Sequence, residues 1–180
     1  MRLMAIDLEM AQPSNNIIEI GAAIGDTDNY QIIDKISIFV NPHEQLSEEI
    51  IKLTSISQED VDLAKNLDDA YKDLLDFSNK YAVHKQLVTW GSGDIWALKS
   101  QLQKIDLNIK WEYGYTYMNV KNIVQAMLTA KNRKTQGGLA KSLGKFGLGF
   151  KGKKHRADDD SVNTLRMYFK ILELLKCLNF

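Results

Sequence analysis

Two acidic side chains interrupt an apolar run near the start of the chain. Asp7 and Glu9 lie in the run from Ala5 to Met10, and because side chains alternate along a strand, both would project from one face. Like charges on one face repel each other and lose hydration unless a cation lies between them. The spacing predicts a metal site, although two solvated acids at the end of a strand are the commoner explanation for such a pair alone.

A third acid, Asp94, follows a short apolar segment and a glycine-containing turn. The apolar residues at 86–90 predict a strand, and the apolar positions after Asp94 recur at helical spacing. The carboxyl end of a strand is where α/β folds place functional groups. Asp94 is therefore either a helix cap beside Ser92 or a ligand of the same metal site.

The segment from His155 to Asp160 places a histidine before three consecutive acids. Acids in the first turn of a helix interact favourably with its dipole, which explains one or two of them without any function. The dipole does not explain His155, whose side chain has an ordinary pKa near 6.5 that suits a general base. A loop histidine is more often exposed and inert, but a metal held by Asp160 would give this one a role.

The elements that must position these residues follow a mixed pattern. Three apolar runs at 3–10, 17–24 and 30–40 are separated by short turns and predict an antiparallel meander. Helices are predicted from Ser47, from Ser57, over 67–81 and over about 157–176, and strands at 86–90 and 115–118 alternate with helices. We expect an α/β fold with a mixed five-stranded sheet flanked by helices, in one domain over 1–180.

The composition indicates an ordinary globular protein. Hydrophobic residues make up 44% and charged residues 26% of the 180 positions. Cys177 is the only cysteine, which excludes an intrachain disulfide and favours a reducing, cytoplasmic environment. No run of about eighteen apolar residues occurs, so we expect no membrane span.

Charge is unevenly distributed along the sequence. The formal net charge is zero, yet nine of the 23 basic residues and none of the 23 acidic residues lie between Lys131 and Arg156. A basic segment of this kind predicts a groove for phosphates, or else a solvated lysine-rich loop.

The order of these motifs resembles the histidine-bearing (DEDDh) branch of the DEDD exonucleases. This branch belongs to the ribonuclease-H-like superfamily and includes ribonuclease T and the proofreading subunit of the bacterial replicative polymerase. The motifs are Asp-x-Glu at 7–9, Trp-Gly-x-x-Asp at 90–94 and His-x-Ala-x-x-Asp at 155–160, with supporting segments at 17–22, 53–61, 119–121, 138–139 and 159–163. Within the branch, the sequence is most similar to the ERI-1 and KapD-type RNA exonucleases.

The resemblance implies a ribonuclease-H-like fold, a two-metal mechanism and a set of catalytic residues. Four acids would hold two Mg²⁺ ions, for which Mn²⁺ would substitute, and a histidine would be the general base; in this sequence they are Asp7, Glu9, Asp94, Asp160 and His155. The implied reaction is 3′-5′ exonuclease hydrolysis of single-stranded ends that releases nucleoside 5′-monophosphates, from RNA more than from DNA. Asp158 departs from the family pattern, and its position raises the question of whether it competes for metal.

Further residues next to these motifs are predicted to contact the substrate. They are Met10, Ala11, Gly91, Lys153, Lys154 and Arg156. Two other functions stay open at this point: a DNA exonuclease of proofreading or repair, and a nucleic-acid-binding module of the same fold without turnover. A protein partner that confers specificity is possible, and the sequence does not indicate the oligomeric state.

Overall fold

An antiparallel meander begins the chain in this computed structural model, which describes residues 1–114, 116–134 and 137–177. Its strands are β1 (Arg2–Met10), β2 (Ile17–Asp26) and β3 (Gln31–Phe39). β2 pairs with both neighbours in antiparallel register. The short turns between the strands allow only this arrangement, as the sequence predicts.

Two short parallel strands complete the sheet. β4 (Val88–Thr89) joins β1, and β5 (Met118–Asn119) joins β4, so the order across the described residues is β3-β2-β1-β4-β5. The predicted mixed five-stranded sheet is confirmed. Both parallel strands are shorter than expected: the strand predicted over 115–118 begins only at Met118, and Tyr115 lies outside the described residues.

Helices cover both faces of the sheet. In chain order they are α1 (Glu48–Thr54), α2 (Gln58–Asp62), α3 (Leu67–Lys80), α4 (Gly93–Ile105), α5 (Val120–Ala130), α6 (Leu139–Lys145) and α7 (Ala157–Lys176). The two predicted serine caps are present, since Ser47 accepts a hydrogen bond from the N–H of Ile50 and Ser57 forms a capping box with Asp60. Across the described ranges, no helix combines the length and apolar character that a membrane crossing requires.

Alternation along β1 divides the core into two layers. Residues 4, 6 and 8 pack on one face against side chains of α3 and α4. Residues 3 and 5 pack on the other face with α5, α6 and α7. Asp7 and Glu9 project from this second face, so the acidic pair lies on the side of the sheet that α7 covers.

The start of α7 lies directly against β2 at a glycine. A Cβ at Gly21 would overlap the backbone of Ala157, the first residue of α7. One turn later, the hydroxyl of Ser161 donates a 2.9 Å hydrogen bond to the carbonyl of Gly21. The missing side chain therefore sets how closely the first turn of α7 approaches the sheet.

Candidate active site

The structure brings three of the predicted acids together. One carboxylate oxygen each from Asp7, Glu9 and Asp160 lies within 4.8 Å of the others. β1 supplies the first two from one face, and the first turn of α7 supplies the third. All three side chains are partly buried. The result is a small group of oxygens with the size and chemistry of a divalent-cation site.

Asp94 lies beside this group, in the first turn of α4 and two residues after the N-cap, Ser92. Burial raises the pKa of its carboxyl, and the nearby backbone N–H groups of Asp94 itself and of Leu8 act in the opposite direction. Asp94 thus turns toward β1, and its charge is close enough to raise the pKa of Asp7.

The electrostatics of the cluster favour a bound cation. Burial, and then the charges of Asp94, Asp160 and Glu9, raise the pKa of Asp7 well above its usual range. Burial and then the charge of Asp160 raise the pKa of Glu9 to about 8. Burial raises the pKa of Asp160 to about 6. These carboxyls cannot all ionise near neutral pH unless positive charge compensates them, so the donor set fits a divalent metal.

His155 lies at the exposed side of the cluster, immediately before α7. Its backbone has φ +60°, a left-handed conformation that is uncommon for a residue with a side chain. Its N–H donates a 2.8 Å hydrogen bond to the Asp160 carboxylate, and its imidazole is close enough to lower the pKa of Asp160 against the effect of burial. The structure therefore brings the predicted base and the fourth predicted ligand into direct contact.

The loop that carries His155 is tied to α7. Asn163 binds Lys151 in both directions, with its side-chain amide 2.7 Å from the Lys151 carbonyl and its oxygen 3.0 Å from the Lys151 N–H. Arg166 donates to the carbonyl of Gly149 at 2.8 Å. Gly152 has φ +79°, and a Cβ there would meet the Asp159 carboxylate. These contacts hold the loop in one conformation. A flexible, solvated lysine-rich loop would not make such contacts.

The predicted substrate residues differ in what they present to solvent. Lys153 and Lys154 are exposed on the loop just before His155. A Cβ built at Gly91 meets nothing within 4 Å, so the space beside Asp94 is open. Met10 is partly buried against the core layer of α3 and α4.

Ala11 does not reach the surface of the site. Its exposed fraction is 1%, and its N–H and carbonyl are both used within the following turn, by Asn16 and Asn15. Its side chain is therefore not available to a nucleotide, and both backbone groups already have a partner within the turn.

Two charged residues next to His155 have partners that the sequence did not indicate. The Arg156 guanidinium lies 3.0 Å from the carboxylate of Glu19. Asp158 lies 2.7 Å from the amino group of Lys35, on β3. Asp158 is therefore directed toward Lys35, and the group of three close carboxylates forms without it.

Glu19 is the residue that sequence reasoning missed. It is fully buried on β2, directly opposite Glu9 in the strand register. A signal for it existed: an acid inside the apolar run 17–24 needs a buried partner, because an unpaired buried charge is very costly. The identity of that partner was not available from the pattern, since Arg156 is 137 positions further along the chain.

Comparison with known proteins identifies related sequences and structures. The family model RNase_T, described as an exonuclease, matches residues 4–168. The human protein 3′-5′ exoribonuclease 1 is 28% identical over 178 residues. Among solved structures, the nuclease domain of 3′hExo, a DEDDh family member bound to rAMP, has a TM-score of 0.82 at 24% identity. Cell-death related nuclease 4 has a TM-score of 0.84 at 18% identity.

The alignments cover most of this chain but different shares of the relatives. The match to the human exoribonuclease covers 88% of this chain and 47% of that protein, so the chain spans about half the length of this relative. The matches to the two solved structures cover 96% of this chain, with 92% of the 3′hExo domain and 64% of cell-death related nuclease 4. The sheet described above is thus the fold of a known group of nucleases.

Proposed function

The chain belongs to the RNase_T exonuclease family, whose model matches it over residues 4–168, and from this premise we propose that it is a metal-dependent 3′-5′ exonuclease. It removes nucleotides one at a time from single-stranded 3′ ends, with RNA as the favoured substrate. The observation that carries the proposal is the group of Asp7, Glu9 and Asp160 oxygens within 4.8 Å of one another. A non-catalytic binding module would gain nothing from such clustered acids where it must hold phosphates.

We propose that Asp7, Glu9, Asp94 and Asp160 hold two Mg²⁺ ions, with Mn²⁺ as a substitute. Hard carboxylate oxygens are the ligands these ions prefer, and a bound cation would relieve the repulsion that, together with burial, raises the pKa values of Asp7 and Glu9. When bound, a pair of such cations stabilises the attacking and leaving oxygens and lowers the pKa of the attacking water. Each acid has a fixed position on β1, α4 or α7.

His155 is proposed as the general base. Its ring is exposed at the edge of the acid cluster, while its backbone N–H is fixed to Asp160 at 2.8 Å. The imidazole accepts a proton from water as the new P–O bond forms and the bond between phosphorus and the 3′ oxygen breaks. The departing oxygen takes up a proton and remains as the new 3′ hydroxyl, and the product is a nucleoside 5′-monophosphate.

The substrate strand is proposed to reach the site past Lys153 and Lys154. Both side chains are exposed beside His155, and ammonium groups near a nucleic-acid backbone bind its phosphates. The open space at Gly91 admits the terminal nucleotide next to Asp94, and Met10 lies beside Glu9 on β1. Arg156 is already engaged by Glu19, so the phosphate contacts are assigned to the two lysines.

RNA is favoured over DNA because of the relatives. The matched human protein is a 3′-5′ exoribonuclease, and a solved nuclease domain of the same fold is bound to rAMP. We also propose that the protein acts in the cytoplasm, consistent with the single cysteine Cys177, and that a protein partner selects among RNAs.

A side-by-side digestion tests substrate and product. Matched single-stranded RNA and DNA carrying a label on the last internucleotide phosphate are incubated with the protein and Mg²⁺. We expect labelled nucleoside 5′-monophosphate as the first product, formed faster from RNA; in strands without uracil or thymine, the ribose 2′-hydroxyl is the only difference between the two. Faster release from DNA would overturn the RNA preference, and a first product longer than one nucleotide would overturn the exonuclease proposal.

A further inference from the structure

One buried acid beside the cluster is not among the proposed ligands. Glu19 has no exposed surface, and its charge adds to the repulsion that raises the pKa of both Asp7 and Glu9. A carboxylate in this position works against the ionisation of its neighbours. Packing alone therefore does not explain a buried carboxylate at this position, and other interactions must stabilise it.

The hydrogen-bond partners of Glu19 indicate that cause. One carboxylate oxygen accepts from the Arg156 Nη2 at 3.0 Å and from the Ser37 hydroxyl at 2.6 Å. The other accepts from the backbone N–H of Ala157 at 3.0 Å, and the Arg156 Nε lies 3.3 Å from both oxygens. A carboxylate has about four acceptor positions, so these donors saturate it. Glu19 is thereby distinguished from the three acids whose oxygens converge on one another.

Apart from Ser37 on β3, the partners of Glu19 lie at the junction between the loop that carries His155 and α7. Arg156 directly follows His155, and Ala157 is the first residue of α7, three positions before Asp160. The guanidinium also lies over the ring of Phe39, 5.2 Å from its centroid, which limits its movement on the other side. A single buried carboxylate on β2 thus fixes the backbone between the proposed base and the proposed ligand on α7.

We propose that Glu19 and Arg156 form a positioning pair that sets the placement of His155 and Asp160. The inference rests on the function proposed above and deepens it. The pair holds His155 in its left-handed conformation, where the N–H of His155 reaches Asp160. Arg156 acts through Glu19 and not through a substrate phosphate, which revises the role that its basic charge suggests in the sequence.

Kinetics of matched variants test the pair. Glu19→Gln keeps the shape but removes the charge that binds both the guanidinium and the Ala157 N–H, and we expect kcat to fall about 100-fold, as for a misplaced catalytic group, with little change in KM. Arg156→Met should lower kcat to a similar extent. Arg156→Lys should restore only part of the lost activity, because an ammonium group cannot reproduce the two-nitrogen contact of the guanidinium with the carboxylate. The double variant should be no slower than the slower single variant, since both changes break one unit.

The alternative role of Arg156 makes a different prediction. If Arg156 binds a phosphate, Arg156→Met raises KM, weakens the dependence of KM on salt concentration and leaves kcat unchanged; that result overturns the proposal. Glu112→Gln is the matched control, because Glu112 pairs with Lys85 and Lys110 away from the acid cluster. It should retain wild-type kcat, and all rates are measured below the melting temperature of each variant.

Amide hydrogen exchange gives a readout that does not depend on turnover. In Glu19→Gln, exchange at the N–H groups of His155 and Ala157 should accelerate at least tenfold, while the control variant should match the wild type. Unchanged exchange at both amides would overturn the positioning role. If the wild-type protein fails to trim RNA, the proposed function fails, and the exchange rates still decide whether Glu19 holds the loop.

Discussion

At the scale of single residues, Asp7 is the point where the charges of the site converge. It lies on β1 between Ile6 and Leu8, in the centre of the sheet, and four other acids raise its pKa in addition to burial. A carboxylate placed this way either stays protonated or holds a cation. Its replacement should therefore affect cation binding and stability in opposite directions.

Asp7→Asn should bind Mn²⁺ far more weakly and yet be more stable without metal. We expect an affinity loss of more than the roughly 10–100-fold that removal of an outer-shell partner typically costs, measured by calorimetric titration. At pH 8 in chelator, the variant should melt at a higher temperature than the wild type, because one source of repulsion is gone. Equal Mn²⁺ affinity in the two proteins would remove Asp7 from the ligand set.

The raised pKa values also predict how stability depends on pH. The pKa of Glu9 is raised from 4.5 to about 8 and that of Asp160 from 3.8 to about 6, so the folded protein binds more protons than the unfolded chain over this range. The stabilisation is complete below about pH 4 and is lost as the pH rises toward 8.

Without metal, these two groups should lower the melting temperature between pH 5 and pH 8. Mg²⁺ or Mn²⁺ should reverse this decrease, and its effect should be larger at pH 8, where the carboxylates ionise. Differential scanning fluorimetry across this pH range with and without metal measures both effects. Metal stabilisation of equal size at pH 5 and pH 8 would contradict the assignment of the cluster as a cation site.

At the scale of secondary-structure elements, the contact between α7 and β2 determines where the late motif meets the early one. Ser161 binds the carbonyl of Gly21, Glu19 binds the N–H of Ala157, and Lys35 on β3 binds Asp159 at 2.6 Å. Strands of the meander thus hold the first turn of α7 from several directions. The approach is close because position 21 has no side chain.

Gly21→Ala should displace α7 and impair both stability and activity. The added methyl group would overlap the backbone of Ala157, and overpacking of this kind typically costs about 1–3 kcal/mol. Denaturant unfolding measures this cost, and kcat should fall about 100-fold when α7 shifts by about 1 Å. Gly144→Ala on α6 is the control, because a Cβ there meets nothing within 4 Å. Wild-type stability in Gly21→Ala would show that α7 does not depend on this contact.

The elements themselves were largely predictable from the sequence. Alternation and short turns predict the meander, the serine at 57 predicts its capping box, and apolar spacing predicts the long helix at 157–176. These signals are local, because each depends on neighbours within a few residues. The parallel strands were predicted too long, since their pairing depends on tertiary contacts with β1 that no local pattern encodes.

The candidate site was predictable only in part, for the same reason. Its acids could be proposed because Asp7 and Glu9 share a face and because motif order adds Asp94 and Asp160. Glu19 pairs with Arg156, and Asp158 pairs with Lys35; in both pairs the residues are more than 100 positions apart. A basic residue before α7 therefore looked like a phosphate contact, whereas the structure engages it with a buried acid.

At the scale of the whole molecule, acidic and basic side chains occupy adjacent parts of the proposed site. Asp7, Glu9 and Asp160 meet at the face of β1 that α7 covers. The exposed Lys153 and Lys154 lie in the loop that leads into α7. Such a field attracts a polyanion through the lysines and leaves the acids to hold cations. Substrate binding should therefore depend on salt more than the zero net charge suggests.

The variant with Lys153→Met and Lys154→Met should raise KM for single-stranded RNA and leave kcat nearly unchanged. Loss of two phosphate contacts should reduce the slope of log KM against log salt by about 1.4, the value expected for two contacts on a single strand. Steady-state kinetics between 50 and 200 mM salt measure the slope. Lys72→Met on α3, which breaks an ion pair with Asp69, is the control. An unchanged KM and slope in the double variant would exclude the loop as the phosphate track.

The most direct test of the central claim is a time course on a 5′-labelled single-stranded RNA with wild-type protein and Asp7→Asn. With Mg²⁺, the wild type should produce a ladder that shortens by one nucleotide at a time, and chelator should stop it. Asp7→Asn should be at least about 1,000-fold slower, since a metal centre supplies several kcal/mol and each 1.36 kcal/mol is tenfold in rate. Full-length RNA after prolonged incubation of the wild type with Mg²⁺ or Mn²⁺, or equal ladders from both proteins, would contradict the account.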